Sequence, residues 1–391
     1  MQVSKDRLLV THVGSLPRNA TLTDLLLRQE SGEVIDPALL QREMDSAVEN
    51  IVKKQAAAGI DVGNDGEQQR VGFQTYIPQR MSGFAGESKR RRSREYEEFP
   101  AFAAEVGRRF PRRSKSNSAP QATGPVRYNT RSEIEREIAR FHRSLSKTAI
   151  SFVETFMTAP SPGIIATTMH NAFYDSHEAY VNALAHEMRV EYLAIHEAGL
   201  LLQIDAPDLA MERTMFAQDM SDEEFIAMCE IHVHAINSAL QGIPADRVRL
   251  HCCWGNWEGP HIHDIALAKV LPVVLEANVG GLSIEFANPR HQHEYDAFRK
   301  LPLPPQMVLL PGVIDTTTNI VEHPEVVARR LQQAVDVVGD RERVIASTDC
   351  GFGTFAGYEW VAEDVVWAKL QSARAGANIA TSRLWPDRKA G

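Results

Sequence analysis

Short apolar runs alternate with longer segments of helical periodicity along most of the chain. Such runs predict buried strands, and the alternation of strand with helix predicts a parallel sheet. The predicted strands are Arg7–Val13, Gly59–Gly63, Ala149–Phe156, Leu200–Ile204, Val248–Cys253, Gly281–Phe286, Met307–Ile314 and Arg343–Ser347. The helical patterns include Pro37–Ala58, Ser176–Ala198, Asp222–Gln241, Pro324–Val338 and Ala362–Ala373. One series of strands this long favours a single α/β domain over residues 1–391, a closed (β/α)8 TIM barrel.

Residues 81–131 interrupt this alternation. They contain the basic runs KRRRSR and RRFPRR and show little sustained periodicity. We interpret them as an inserted basic excursion, or a β-rich flap, after the second predicted strand. The favoured interpretation of their charge is a solvated surface. The alternative is a basic lid over an anionic substrate.

The composition narrows the function classes. The 391 residues are 43% hydrophobic and 24% charged, which supplies ample material for a large core. A net charge of −9 argues against nucleic acid as a main partner. No apolar run approaches the roughly 20 residues that span a bilayer, and the N-terminal segment lacks the apolar core of a signal peptide. We therefore expect a cytoplasmic protein without a membrane partner. The sequence carries no signal for the number of subunits.

Four residues with metal-ligand side chains lie at the predicted carboxyl ends of strands. His251 and Cys253 end the fifth predicted strand, Glu285 ends the sixth, and Cys350 follows the eighth. In a TIM barrel these ends converge on one face, where catalytic residues lie. Because side chains alternate along a strand, His251 and Cys253 point to the same side. Cys252 points away and is expected in the core.

One histidine, two cysteines and one carboxylate form a donor set that suits Zn²⁺. In a reducing compartment disulfides are not expected, so cysteines that accompany histidine and glutamate are candidate metal ligands. Three anionic ligands would keep a metal-bound thiolate nucleophilic, and the sequence therefore favours activation of a thiol over activation of water. The alternative is a closed zinc site that only braces the barrel, although such sites usually show local CxxC spacing.

Seven motifs extend over nearly the whole chain. They read THVGSLPR (11–18), NDGEQQR (64–70), LLQIDAPDLAME (201–212), HCCWGN (251–256), LSIE (282–285), PGVID (311–315) and STDCGFGT (347–354). In this order they resemble the cobalamin-independent methionine synthases, and more narrowly their short single-barrel relatives. The resemblance implies the zinc ligands His251, Cys253, Glu285 and Cys350, the same set that the strand ends predict.

The resemblance also implies a site for the amino-acid substrate. Gly14 and Ser15 match the family's Gly-Ser after the first strand, which helps to hold that substrate. Glu67 and Asp205 resemble the residues that hold its ammonium group, and two carboxylates at strand ends could clamp one cation. Without the resemblance, helix caps or solvated loop acids would be the better interpretation of both residues.

Two positions depart from the family pattern. Full-length methionine synthases carry Asp-x-His after the seventh strand, where the histidine is thought to protonate the folate leaving nitrogen. Here Asp315 is present as a candidate catalytic residue, but Thr317 stands in the histidine's place. General acid catalysis is typically worth 10² to 10⁴ in rate, so its loss argues against a folate donor. The family's Asp-Glu-Pro is likewise Asp205-Ala206-Pro207 here, which weakens the transfer of the amino-acid site.

Two further segments contain paired histidines. WGNWEGPHIHD (254–264) and NPRHQHE (288–294) directly follow two of the metal motifs and resemble the branch that includes epoxyalkane:coenzyme M transferases. His261, His263, His291 and His293 could supply an acid for a different leaving oxygen. Taken singly, each is more often a loop histidine or a helix cap, but as two His-x-His pairs beside predicted ligands they become candidates.

The sequence therefore supports three functions. The leading one is a zinc-dependent methyl or other alkyl transfer onto a zinc-bound small-molecule thiol such as homocysteine. The alkyl donor would be a folate, a corrinoid-borne methyl group or another electrophile. The second is addition of a thiol such as coenzyme M to an epoxide, and the third is a zinc protein that binds thiols without turnover. A zinc hydrolase is disfavoured because two thiolates and a carboxylate suit sulfur better than hydroxide.

Overall fold

The computed structural model describes residues 1–111, 113–114 and 118–386. Its strands are β1 (Val62–Gly63), β2 (Met81–Ala85), β3 (Gln121–Tyr128), β4 (Glu154–Pro160), β5 (Leu201–Asp205), β6 (Val248–Cys252), β7 (Gly281–Ile284), β8 (Val308–Ile314) and β9 (Ser347–Thr348). Seven of them form one curled parallel sheet in the order β1-β4-β5-β6-β7-β8-β9. This order follows the chain, as in TIM-barrel-like folds.

Helices surround the sheet. They are α1 (Ala20–Glu30), α2 (Pro37–Ala57), α3 (Ile77–Arg80), α4 (Glu95–Glu98), α5 (Pro100–Arg109), α6 (Ser132–Thr148), α7 (Pro162–Thr168), α8 (His177–Glu197), α9 (Asp222–Ala239), α10 (Leu267–Val274), α11 (Asp296–Lys300), α12 (Pro324–Val338) and α13 (Glu363–Leu384). In the described part of the chain, no helix combines the length and the apolar character needed to cross a bilayer.

Local signals explain why four helices lie within two residues of their predicted bounds. The Asp36 side chain caps α2, whose first residue is a proline. Ser221 and Glu224 form a capping box at the start of α9. The fifth predicted helix was too short, because α13 continues to Leu384. Gly376 lies inside α13 at a position where any Cβ would overlap Val327 of α12, so this glycine serves close packing and does not end the helix.

The predicted first strand, Arg7–Val13, is reduced to a single bridge between Val10 and Ala346. Side chains take the backbone N–H groups that a strand would use: Thr381 accepts from Leu8, Ser4 from Leu9 and Asp61 from Val10. The segment still connects both edges of the sheet. The Val10 carbonyl accepts from Asp61 N at 2.8 Å, and the Ala346 carbonyl accepts from Thr11 N at 2.8 Å.

The third predicted strand, Ala149–Phe156, was placed too early. Helix α6 continues to Thr148, and Ala149 ends it in the left-handed conformation with φ of 54°. Strand β4 consequently begins at Glu154 and ends at Pro160. The shift matters for the site because the carboxyl end of β4 lies beside β5, with Pro160 paired with Asp205.

Residues 81–131 contain β2, β3, α4 and α5. The two strands pair with each other in an antiparallel ladder outside the main sheet. The segment packs back on the body of the molecule, since Ala122 N donates to the His170 carbonyl and Ala172 N donates to the Ala122 carbonyl. Arg90 forms a buried ion pair with Glu212, whereas Arg91 pairs with Asp219 at the surface. The basic runs are thus only partly a solvated face.

Candidate metal centre

Strands β6 and β9 bring two thiols and an imidazole together at their carboxyl ends. His251 lies in β6, Cys253 follows it directly, and Cys350 follows β9. All three residues are buried, and their ligand atoms lie within 4.8 Å of one another. Cys350 Sγ is 3.7 Å from His251 Nε2. This cluster could hold a metal ion.

Glu285, directly after β7, joins the cluster. Its Oε2 lies 3.7 Å from Cys350 Sγ, and the residue is buried. All four predicted ligand residues are therefore neighbours, although they come from three segments of the chain. His251 Nδ1 is buried and has no hydrogen-bond partner among the described residues. Two thiols, an imidazole and a carboxylate without solvent are a donor set that fits a thiophilic divalent metal.

Strand alternation separates the adjacent cysteines as predicted. Cys252 is completely buried and belongs to the hydrophobic core, whereas Cys253 lines a cavity. Burial raises the pKa of the Cys252 thiol well above its usual range. A hydrogen bond from Cys350 holds the pKa of Cys253 well below its usual range, against the effect of burial. Cys253 is thus the thiol that ionises readily, while Cys252 stays inert.

Asp349 connects two of the predicted ligands, although it was not among the predicted site residues. Its Oδ1 accepts from the backbone N–H of Phe286 at 2.9 Å and of Ala287 at 2.8 Å. Its Oδ2 accepts from Asn288 N at 2.9 Å. The carboxylate next to Cys350 therefore fixes the backbone that follows Glu285. The sequence signal that could have identified Asp349 is its position in the motif STDCGFGT, at the end of a predicted strand.

A small cavity of about 70 Å³ opens on the cluster, and we call it the metal cavity. It is lined by Val13, Ser15, Glu67, Phe73, Asp205, Pro207, Met211, His251, Cys253, Gly255, Asn256, Cys350, Gly351 and Thr354. Three of the four residues predicted to bind the substrate are thus on its wall. The fourth, Gly14, lies behind Glu67: a Cβ there would be 2.5 Å from Glu67 Oε1, so glycine permits this approach.

Glu67 and Asp205 form a buried acidic pair on the wall of the metal cavity. Glu67 Oε1 accepts from the Thr158 hydroxyl at 3.0 Å, but Oε2 is buried without a partner among the described residues. Burial and the neighbouring Asp205 raise the pKa of Glu67 to about 8. Burial likewise raises the pKa of Asp205 to about 6. An unpaired carboxylate oxygen of this kind is a ready partner for a cation.

A larger cavity of about 380 Å³, here called the outer cavity, is lined by Glu285 and shares Gly255 and Asn256 with the metal cavity. Asp315, Thr317 and His261 line it. The Asp315 carboxylate accepts from Thr317 N and Oγ1, both at 2.8 Å, and from Thr318 Oγ1 at 2.9 Å. The backbone and hydroxyl group of Thr317 therefore both bind Asp315 and close a turn there. Thr317 provides no acidic group to the outer cavity.

The four candidate histidines have different surroundings. His291 is buried, stacks on Trp254 at 3.9 Å and lies 3.7 Å from Glu285 Oε1. Burial opposes its charged form, but hydrogen bonds to Asp264 and Glu294 raise the pKa of His291 to about 10. Asp264 also contacts His261, whose Nδ1 lies 2.8 Å from Asp264 Oδ2.

The other two histidines lie away from the metal cluster. His263 contacts Glu98 at 2.9 Å, and His293 is exposed. Neither lines the metal cavity or the outer cavity. The structure thus brings one histidine of each His-x-His pair, His261 and His291, towards the predicted ligands.

Comparison with known proteins gives one family. The family model for the catalytic domain of the cobalamin-independent synthases matches residues 8–123 and 101–370. A methionine synthase from Sulfurisphaera tokodaii is 23% identical over 96% of this chain and 93% of its own length. A 2-hydroxypropyl-CoM lyase from Xanthobacter autotrophicus is also 23% identical, over 95% of this chain and 94% of its own length.

A solved structure shows the same fold. The B12-independent methionine synthase from Shewanella sp. W3-18-1, in complex with selenomethionine, superposes with a TM-score of 0.71. The sequence identity is 20%, and the match covers 97% of this chain and 99% of that chain. The predicted α/β architecture is thereby confirmed at the level of a TIM-barrel-like fold.

Proposed function

This chain belongs to the family of cobalamin-independent synthase catalytic domains, and on that premise we propose that it transfers an alkyl group onto the sulfur of a small-molecule thiol. Methyl transfer to an amino-acid thiol such as homocysteine is the leading case. The observation that carries the proposal is the convergence of two buried thiols and an imidazole on the metal cavity, with the Glu285 carboxylate 3.7 Å from Cys350 Sγ. That cavity also contains an unpaired carboxylate oxygen, on Glu67.

We further propose the finer architecture that this function needs. Residues 9–11 act as the eighth strand of a closed (β/α)8 barrel, because their backbone bonds to both sheet edges. Residues 1–391 form one domain, and residues 81–131 are an insertion within it. The carboxyl ends of the strands then form one mouth, where the metal cavity opens.

His251, Cys253, Glu285 and Cys350 would hold one Zn²⁺. When bound, the metal lowers the pKa of a substrate thiol so that the sulfur is present as a thiolate near neutral pH. The chain's own residues then position this substrate. Glu67 and Asp205 bind its ammonium group, and the low exposure of both side chains excludes competing water.

The outer cavity would hold the alkyl donor. In a methyl transfer, the new S–C bond forms as the bond from carbon to the donor's leaving atom breaks. A pterin nitrogen leaves only when it is protonated, and Thr317 provides no proton at the position that the family's histidine fills. The donor is therefore one whose leaving group needs no acid there, such as a corrinoid-borne methyl group.

A second candidate function is favoured by His261. Thiol addition to an epoxide forms an S–C bond, breaks a C–O bond and leaves an alkoxide that takes up a proton. His261 lines the outer cavity and is held by Asp264, so it is placed to supply that proton. His291 also contacts Asp264 and lies near Glu285, so it orients both the His261–Asp264 pair and Glu285.

A product panel tests the proposal. Zinc-loaded protein is incubated with homocysteine or 2-mercaptoethanesulfonate together with methylcobalamin, methyltetrahydrofolate or epoxypropane, and thioethers are identified by mass spectrometry. S-methyl products support the leading function, and a hydroxypropyl thioether supports the second. Thiol binding without any thioether would instead show a non-catalytic thiol-binding protein. Cobalt-substituted protein provides the binding control, since a thiol that joins the metal adds a sulfur-to-cobalt charge-transfer band.

A further inference from the structure

Three arginines from residues 81–131 line a third cavity, of about 90 Å³, which we call the arginine cavity. Its wall consists of Arg90, Arg92, Ser93, Tyr96, Arg113, Ser114, Met211, Met215, Gly255, Asn256, Trp257, Phe355 and Tyr358. Met211, Gly255 and Asn256 line the metal cavity as well. The two cavities therefore adjoin, with these three residues on the walls of both.

The wall of the arginine cavity carries an excess of positive charge. It contains three arginines and no carboxylate. Arg90 is neutralised by Glu212, although its buried Nε has no partner among the described residues. Arg92 and Arg113 have aromatic neighbours instead, since their guanidinium groups lie 5.7 Å from the Tyr96 ring and 5.0 Å from the Tyr358 ring. In the described ranges, neither forms an ion pair.

Other arginines of the same segment behave differently. Arg91 and Arg94 pair with Asp219, and Arg109 pairs with Glu258. These partners lie on exposed surface, where ion pairs contribute little to stability. Among the described arginines of residues 81–131, the two without an acidic partner, Arg92 and Arg113, are thus the ones that face the cavity beside the metal cluster.

We propose that the arginine cavity binds the oxyanion group, a carboxylate, sulfonate or phosphate, of a substrate whose reacting end lies in the adjoining metal cavity. A guanidinium group held against an aromatic ring presents its N–H fork to an oxyanion in two parallel bonds. Arg92 and Arg113 provide two such forks, whereas the Ser93 and Ser114 hydroxyls on the same wall donate to Glu95 and Glu30. The inference rests on the proposed function for the position of the reacting end.

The oxyanion belongs either to the thiol or to the alkyl donor, and matched ligand pairs distinguish these sources. In the thiol arm, 2-mercaptoethanesulfonate is compared with 2-mercaptoethanol. In the donor arm, methyltetrahydrofolate is compared with a methyltetrahydropterin that lacks the glutamate. Calorimetry measures binding to the zinc-loaded wild type, to the double variant Arg92→Gln/Arg113→Gln, and to the control variant Arg91→Gln.

The double variant is expected to bind the oxyanion ligand of one arm about tenfold more weakly, because charge-assisted hydrogen bonds are lost. Binding of the uncharged ligand should change less than twofold, which also shows that the variant is folded. Arg91→Gln should match the wild type, and the wild-type preference for the oxyanion should decrease as salt increases.

Equal binding of both ligands by the wild type in both arms would overturn the inference. So would a double variant that binds both oxyanion ligands normally. These measurements need no turnover. If the selective loss occurs and no thioether forms in the product panel, the oxyanion site stands and the proposed function fails. If thioethers form without any oxyanion preference, the proposed function stands and the oxyanion site fails.

Discussion

Replacing Glu67 with glutamine removes a carboxyl group that can ionise when a cation binds, and little else from the metal cavity. Glutamine keeps an oxygen that can accept from the Thr158 hydroxyl, so the local fold should persist. It loses the carboxylate oxygen that is buried without a partner among the described residues. If this oxygen binds a substrate ammonium group, the loss removes a charge-assisted hydrogen bond worth about 1.5–3 kcal/mol, or roughly 10- to 150-fold in Kd.

The pKa of Glu67 gives this prediction a second, independent signature. Burial and Asp205 raise that pKa to about 8, so the free carboxyl group is mostly protonated at pH 7. Binding of an ammonium group favours the ionised form, and the proton must be released at a cost of about 1.4 kcal/mol at pH 7. The contribution of Glu67 to the affinity should therefore rise as pH increases towards 8, by up to about tenfold per pH unit, and level off above it.

The assay is calorimetric binding of homocysteine and of 4-mercaptobutyrate, which lacks only the ammonium group. Glu67→Gln should weaken homocysteine binding and reduce its pH dependence below 8 to that of 4-mercaptobutyrate, whose thiol also loses its proton on the metal, while 4-mercaptobutyrate binds at least as well as to the wild type. Glu325→Gln, which removes a surface partner of Arg383, is the matched control. Equal loss for both thiols, or no loss for either, would refute an ammonium site at Glu67.

Three other predictions follow from buried groups. Asp349→Asn should lower zinc affinity about 10- to 100-fold, as is typical of residues that orient metal ligands. Competition for zinc with a chelator measures this affinity, and Asp336→Asn is the control variant. Equal zinc affinities of the two variants would contradict the prediction. Methyltetrahydrofolate should be a poor methyl donor for the wild type because Thr317 offers no proton, and turnover at a rate comparable to that with methylcobalamin would show that another group supplies it. Burial lowers the pKa of His12 from 6.5 to about 4. The stability gained by keeping His12 neutral is therefore complete above pH 6.5 and is lost as pH falls towards 4, about 3 kcal/mol in all. Urea unfolding at pH 7 and pH 5 should show a smaller effect of pH in His12→Asn than in the wild type.

The clustering of His251, Cys253, Glu285 and Cys350 could be predicted because it depends on two simple regularities. Carboxyl ends of parallel strands meet, which brings Glu285 and Cys350 to β6. Alternation along β6 assigns Cys253 to the cavity and Cys252 to the core. Neither inference requires a distance, so the sequence pattern is sufficient.

Other features could not be predicted because they depend on contacts between distant segments. The first predicted strand shortened because side chains of Ser4, Asp61 and Thr381 took its N–H groups. Asp349 acts through three backbone groups of the loop after Glu285, and no pattern in the sequence reports such bonds. The arginines are a third case, since sequence alone cannot show which of them lack an acidic partner.

We propose that His251, Cys253, Glu285 and Cys350 hold a zinc ion at which a substrate thiol becomes the nucleophile. Zinc-edge X-ray absorption of the purified protein, before and after addition of homocysteine, is the decisive measurement. About one zinc per chain is expected, with two sulfur neighbours from Cys253 and Cys350, and a third sulfur neighbour when the thiol is added. A sulfur count that stays at two, or a Cys350→Ser variant that keeps both its zinc and two sulfur neighbours, would contradict it.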